Sequence, residues 1–227
     1  MDPHYIPRLY GRRQDKPLKP RQARLMDELL PRVALGFSKD DGFSTQEDAL
    51  NAKKIWLEIG FGGGEHLAWQ ARQHPDVTMI GAEPFINGVA KLLTEIDEAA
   101  LSNVKVHHGD ARPLMEALPD ECLARLFVLH PDPWPKKRHH KRRMVSPWFF
   151  TQAARLLRPG GELRIASDIP DYIRWSLMYG EQCAEFEWAA ECAADWRLRP
   201  QDWPQTRYEA KAIKEGRVPT YLVYHRL

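Results

Sequence analysis

Cysteine is scarce in this chain. Its 227 residues hold three, Cys122, Cys183 and Cys192, far apart and with no C-x-x-C pair. That pattern excludes a disulfide framework and a zinc knuckle and suits a reducing compartment, so a cytoplasmic location is expected. Long apolar runs are missing too. No stretch of about 18 apolar residues occurs, so no membrane-spanning helix is expected. The opening M-D-P-H-Y-I-P-R-L-Y lacks the apolar centre of a secretion signal. The nine histidines show no metal-ligand spacing, so no metal is expected. Internal repeats and low-complexity segments are also absent. What is there is enough for a core: 43% hydrophobic and 10% aromatic residues exclude a disordered chain. The length predicts one large or two small domains.

Net charge is nearly absent as well, at +2, but this conceals a segregation. Residues 1–24 carry seven basic and two acidic side chains. The run K-K-R-H-H-K-R-R over 136–143 carries six basic and no acidic ones, which leaves the remainder at −9. Two basic segments on an acidic body point to a polyanionic partner for those segments rather than for the whole surface.

Residues 1–24, basic and punctuated by Pro3, Pro7, Pro17 and Pro20, read as a mobile arm. Residues 25–35 read as a short amphipathic helix and 36–54 as a loop or inserted turn. From there, short apolar runs alternate with helical patterns. Strands are expected at Ile55–Ile59, Val77–Ala82, Val104–His107, Leu126–His130 and Leu163–Ala166, with closing strands at Phe186–Ala190 and Tyr221–His225. Helices are expected over Glu65–Gln73 and Ile86–Ile96. Another starts at Ser146-Pro147, a hydroxyl cap followed by a proline where a missing N–H costs nothing, and Pro159-Gly160-Gly161 ends it. Alternation of this kind predicts an α/β fold with a parallel sheet and helices on both faces.

Between the first strand and first helix lies E-I-G-F-G-G-G-E, Glu58 to Glu65. Its glycines allow a tight turn and close approach of a ligand to the backbone. The dinucleotide pattern G-x-G-x-x-G does not fit, because its third glycine would fall on Glu65. The acids at both ends disfavour a pyrophosphate and suit an ammonium or sulfonium ligand; a glycine-rich turn without ligand is the plain alternative. Glu83 and Asp110 follow the second and third strands, where ligands of open α/β sheets bind, although either alone could be a solvated loop acid. His130 to Lys136, H-P-D-P-W-P-K, is stiffened by three prolines and places Asp132 beside Trp134. A fixed carboxylate next to a flat ring suits a nucleobase, and a rigid turn with a buried tryptophan is the alternative. The adjoining basic run could be a solvated face, or a phosphate-binding strip beside a base pocket. Asp168 could share base recognition or cap the helix that follows. T-R-Y-E over 206–209 reads alone as a polar loop. Trp148, Trp175, Trp188 and Trp196 read as core.

Together, E-I-G-F-G-G-G-E, P-D-P-W-P-K with R-H-H-K-R-R, L-L-R-P-G-G-E-L-R-I-A-S-D and T-R-Y-E resemble the bacterial single-chain tRNA (guanine-N7)-methyltransferases, over about residues 50–227. The resemblance implies a Rossmann-like class I methyltransferase fold with a mostly parallel seven-stranded sheet. The arm would be followed by a single domain over 25–227. It implies S-adenosylmethionine as donor and a tRNA variable-loop guanine, usually position 46, as acceptor. It places the cofactor at Glu58, Glu83, Asp110 and Asp132, around the loop of Gly60, Gly62 and Gly64, with Asp132 catalytic. Substrate contacts fall on Lys136, Asp168, Thr206, Arg207, Tyr208 and Glu209. RNA contact falls on Arg138, His139, His140, Lys141, Arg142 and Arg143, with no individual role for His140. The oligomeric state, monomer or homodimer, is left open.

Guanine N7 carries a free lone pair at neutral pH, so its methylation needs alignment rather than a general base. Asp132 is therefore expected to orient the base and favour the cationic product. Another class I RNA methyltransferase, for example one acting on an adenine amino group, and an RNA-binding module with a vestigial pocket are the competing readings. A dehydrogenase is weakened by the glycine spacing.

Overall fold

The apolar run I-W-L-E-I becomes a strand buried along its whole length, as a parallel strand covered by helices on both faces must be. The computed structural model describes residues 10–11, 13–38, 42–43 and 54–227. Elements follow in the order α1 (Pro20–Glu28), α2 (Leu30–Val33), β1 (Phe37–Ser38), β2 (Gly42–Phe43), β3 (Ile55–Ile59), α3 (Glu65–Gln73), β4 (Thr78–Ala82), α4 (Ile86–Ala99) and β5 (Val104–His107). Next come α5 (Ala111–Ala117), β6 (Leu123–Leu129), a 3-10 helix (Lys137–Arg142), α6 (Pro147–Leu156), β7 (Leu157–Ser167) and α7 (Pro170–Glu181). The chain closes with β8 (Phe186–Trp188), α8 (Ala193–Arg197), α9 (Arg207–Lys214) and β9 (Thr220–Arg226).

Seven strands form one sheet in the order β5-β4-β3-β6-β7-β9-β8. The first five are parallel, and β9 runs antiparallel between β7 and β8. The α/β expectation and each expected strand are present. Strand order reverses on either side of β3, which opens a crevice at the carboxyl ends of β3 and β6. Side chains alternate across β3. Ile55, Leu57 and Ile59 pack with Leu114, Phe149 and Tyr172 on one face, while Trp56 packs with Leu67 and Leu93 on the other.

Ser146 caps α6 as its sequence predicts: its hydroxyl accepts from Phe149 N at 3.3 Å, with Pro147 in the first helical position. The helix ends at Leu156, and Pro159-Gly160-Gly161 lies in a bulge of β7, where the pairing jumps from Leu123–Leu157 to Arg125–Glu162.

Three expectations change. Helix α1 begins at Pro20, inside the segment read as an arm, and breaks at Leu29 before α2. Residues 13–16 are strapped to α4: Ile86 N donates to Arg13 O at 2.9 Å, and Asn87 bonds Asp15 N at 2.9 Å and Lys16 O at 2.7 Å. Arg21 then bridges Asp97 and Glu98. Residues 1–9 lie outside the described residues. Among the tryptophans read as core, Trp148, Trp175 and Trp196 are half-buried and Trp188 is exposed. Trp56 and Trp203 supply the buried rings instead. No described helix is long and apolar enough to cross a membrane.

Candidate active site

A cavity of about 610 Å³ opens at the carboxyl ends of β3, β4 and β6, with Gly60, Glu83, Asp110, Asp132, Trp134 and Tyr208 in its wall. The chain turns out of β3 with Gly60 at φ +71° and Gly62 at φ +57°, a left-handed conformation that glycine adopts without strain. Among the described residues, nothing beyond its chain neighbours lies within 4 Å of where a Cβ on Gly60 would sit, so a ligand can approach the backbone there. At Gly62 the corresponding position lies 3.0 Å from the Tyr208 ring. Helix α9 therefore covers the glycine loop with a tyrosine.

The cavity's three carboxylates are held in different ways. Glu83 accepts from Gly62 N at 2.7 Å and Phe85 N at 2.9 Å, tying loop to strand. Burial pushes its carboxyl above the usual range and Asp132 and Glu58 add to the push, against those two backbone donors. Asp110 caps α5 through Arg112 N and pairs with the Arg112 guanidinium at 2.9 Å. Asp132 has no hydrogen-bond or ion-pair partner among the described residues. It lies exposed in the cavity wall, and the surrounding atoms desolvate it enough to raise its carboxyl above the usual range. The loop bearing it is bracketed by His130 at φ +49° and Trp134 at φ +41°, conformations that cost non-glycine residues about 1–3 kcal/mol each.

Both acids of the glycine motif turn away from the cavity. Glu58 shares the Trp56 face of β3, because alternation puts it there, and it is buried against His66 Nδ1 at 2.8 Å. Gln70 holds the other His66 nitrogen at 3.1 Å. Glu65 pairs with Arg207 at 3.3 Å. The cationic-ligand argument therefore rests on Glu83, Asp110 and Asp132, not on the ends of the motif.

The T-R-Y-E segment is a helix start rather than a loop. Thr206 Oγ1 accepts from Glu209 N at 3.2 Å, and the T-x-x-E spacing is the sequence signal for it. Tyr208 reaches the cavity. Glu209 does not: it is buried, and its Oε1 accepts from Tyr221 at 2.7 Å and Arg199 at 3.1 Å. The expected substrate contact at Glu209 is corrected by that inward turn. Asp168 is not a helix cap, since Ile169 occupies that position. It bonds Arg217 Nε at 2.5 Å and His130 Nδ1 at 3.3 Å. Burial works against its charge, but Arg217, its own backbone and His130 outweigh that and hold the carboxyl below the usual range. Arg217, His66 and the role of His130 carry no signal in the sequence, because each is defined by a partner brought in by the fold, whereas Arg112 is fixed by Asp110 two residues before it.

The basic run divides. Lys136, Lys137, Arg138 and Lys141 are exposed. Arg142 lies on the cavity wall, 4.0 Å from the Tyr10 ring centroid and 4.9 Å from that of Trp134. The His139 ring meets Trp134 edge-on, and His140 meets Trp175. Arg143 is buried. It donates to Pro133 O at 2.9 Å and Asp171 at 2.5 Å, between the rings of Tyr172 and Trp175. Such a side chain cannot contribute to a phosphate-binding strip, which corrects its assignment.

Residues 52–221 match the family described as "Putative methyltransferase". A tRNA (guanine-N(7)-)-methyltransferase of Rhodospirillum rubrum is 49% identical over 96% of this chain and 88% of that protein. One from Ruegeria pomeroyi is 52% identical over 96% and 94%, and one from Zymomonas mobilis 45% identical over 100% and 97%. Among solved structures, the 16S rRNA methyltransferase KamB superposes with a TM-score of 0.59 at 18% identity, covering 86% of this chain and 98% of its own. That likeness shows the shared fold.

Proposed function

The chain belongs to the tRNA (guanine-N7)-methyltransferase family, and from that premise we propose how its cavity serves the reaction. S-adenosylmethionine fits the wall on two observations. The backbone at Gly60 is open to a ligand, and three carboxylates line the cavity, as a ligand with ammonium and sulfonium charges requires. Gly60, Glu83, Asp110 and Asp132 would hold it. When bound, it supplies an already electrophilic methyl group. The acceptor is N7 of a tRNA guanine, at variable-loop position 46, and the setting is the cytoplasm.

The observation that carries this reading is that Asp132 has no partner among the described residues. A carboxylate partly screened from water, with no partner among the described residues, is a reserve of attraction for positive charge. Glu83 and Asp110 have spent most of that attraction on protein donors. Asp132 has not. It can accept from the Watson–Crick donors of guanine and stabilise the charge that grows on the base as N7 is alkylated. N7 carries no proton, so Asp132 orients and neutralises rather than acting as a base. Tyr208 closes the glycine-loop side of the cavity, and Arg142, between Tyr10 and Trp134, closes the side next to the basic strip. Lys136, Lys137, Arg138 and Lys141 extend from that side into solvent, where a phosphate backbone can reach them.

Nucleoside analysis of unmodified tRNA incubated with labelled donor tests the reading; label in 7-methylguanosine at position 46 is expected. For Asp132→Ala we expect kcat to fall by about 100-fold or more, with tRNA affinity close to wild type because the strip is intact. Turnover within a few-fold of wild type would remove Asp132 from the mechanism.

A further inference from the structure

His130 is the last residue before the Pro131-Asp132 turn. Its backbone N still donates to Ala166 O at 2.8 Å, so it keeps sheet register while adopting φ +49°. A left-handed histidine at a cavity wall is costly and needs a reason. Its side chain, only 7% exposed, lies in that wall together with Asp132. Nδ1 faces Asp168 Oδ1 at 3.3 Å. A carboxylate only accepts, so Nδ1 carries the hydrogen and Nε2 of the neutral ring keeps its lone pair. Nε2 has no partner among the described residues. Asp168 is in turn held by Arg217 Nε at 2.5 Å, across 49 residues of sequence. Arg217 also pairs with Glu215. The chain His130–Asp168–Arg217 thus fixes the tautomer and orientation of a ring beside Asp132.

We propose that His130 reads the base, its Nε2 accepting from the exocyclic amino group of guanine while Asp132 takes N1–H, and that Arg217 is a positioning residue acting through Asp168. This deepens the reading of the cavity as the guanine site and rests on it. The chemistry supports the pairing. Guanine offers two adjacent donors on its Watson–Crick edge, and two acceptors side by side match both. Adenine offers one donor and one acceptor there, so one of the protein's acceptors would stay unmatched, and desolvated unmatched polar groups are what make such sites selective. The charged acceptor pairs with the more acidic donor, N1–H, and the neutral imidazole with the amino group.

The test compares tRNA transcripts carrying guanosine or inosine at the methylated position; inosine keeps N1–H and N7 but lacks the amino group. For the full-length wild type, kcat/KM for the inosine transcript is expected to be lower by about tenfold or more. In His130→Phe, which keeps a flat ring but no acceptor, guanosine turnover falls to near the inosine level and the ratio collapses towards one. Binding of the demethylated donor product and thermal stability stay near wild type. Arg217→Ala lowers the same ratio, Arg217→Lys restores part of it, and neither changes it further in the His130→Phe background. A wild-type guanosine/inosine ratio in His130→Phe, or an Arg217→Ala effect of equal size in both backgrounds, would overturn the proposal. If the wild-type enzyme methylates neither transcript at N7, the underlying reading of the cavity fails instead.

Discussion

The outer part of the basic run, Lys136, Lys137, Arg138 and Lys141, is built from the same residue types as its inner end, Arg142 and Arg143, yet the fold uses the two halves in opposite ways. The outer cations are exposed. Arg143 is a buried strut whose guanidinium joins the Asp132 loop, through Pro133 O, to α7, through Asp171 and the rings of Tyr172 and Trp175. Arg142 lies between, flanked by aromatic rings at the cavity wall. A charge in water is available to a phosphate. A charge buried between rings, with Nε and Nη2 bonded to Pro133 O and Asp171, is available only to its own fold.

That contrast is open to direct test. The largest effect is expected for Arg143→Met, which strips a charged donor from Pro133 O and Asp171; a loss of about 2–4 kcal/mol in urea unfolding is expected. The salt dependence of tRNA binding by the folded variant should stay unchanged. A flattened slope at unaltered stability would put Arg143 back in the strip. Next comes simultaneous replacement of Lys136, Lys137, Arg138 and Lys141 by Gln. Here the slope of log affinity against log salt should fall by about three, while stability moves by no more than about 0.5 kcal/mol per site. Arg142→Ala should cost about 1 kcal/mol through its ring contacts and change the slope less than the outer residues do.

The smallest effect is a pH signature of the strut. Arg143 hydrogen-bonds Asp171 and holds its carboxyl below the usual range, outweighing the opposing burial. A depressed carboxyl adds stability that is present in full above its unfolded value of about 3.9. That increment is lost as pH falls through the lower folded value. The gap between wild type and Arg143→Met should therefore be constant near neutrality and narrow below about pH 4. A gap that does not narrow would mean Arg143 acts through packing alone.

How far the molecule is legible in its sequence depends on whether a feature is local. Ile55–Ile59 reads as a strand because burial on both faces demands an unbroken apolar run, and Ser146-Pro147 reads as a helix start because the cap and the spent N–H are neighbours. Thr206 is readable on the same ground, from its spacing to Glu209, although T-R-Y-E taken alone reads as a polar loop. Glu58 illustrates the limit. Its place near the end of the β3 run, just before the glycine turn, suggests a ligand-facing acid, yet the two-residue alternation of β3 sends it to His66. Asp168 needed Arg217, which is remote in sequence and adjacent only after β7 and β9 have paired.

The sequence by itself determined the α/β alternation, the glycine turn, the proline-stiffened Asp132 loop and the kinship they announce, because each is written in contiguous residues whose backbone preferences act locally. Only the tertiary structure decided which charges are free. It gave Glu83, Asp110, Glu58 and Glu65 protein partners and left Asp132 without one among the described residues, and it turned one arginine of the basic run into a strut. The availability of a charge depends on what burial brings within hydrogen-bond reach, and residues far apart in the chain set that only once the sheet has closed.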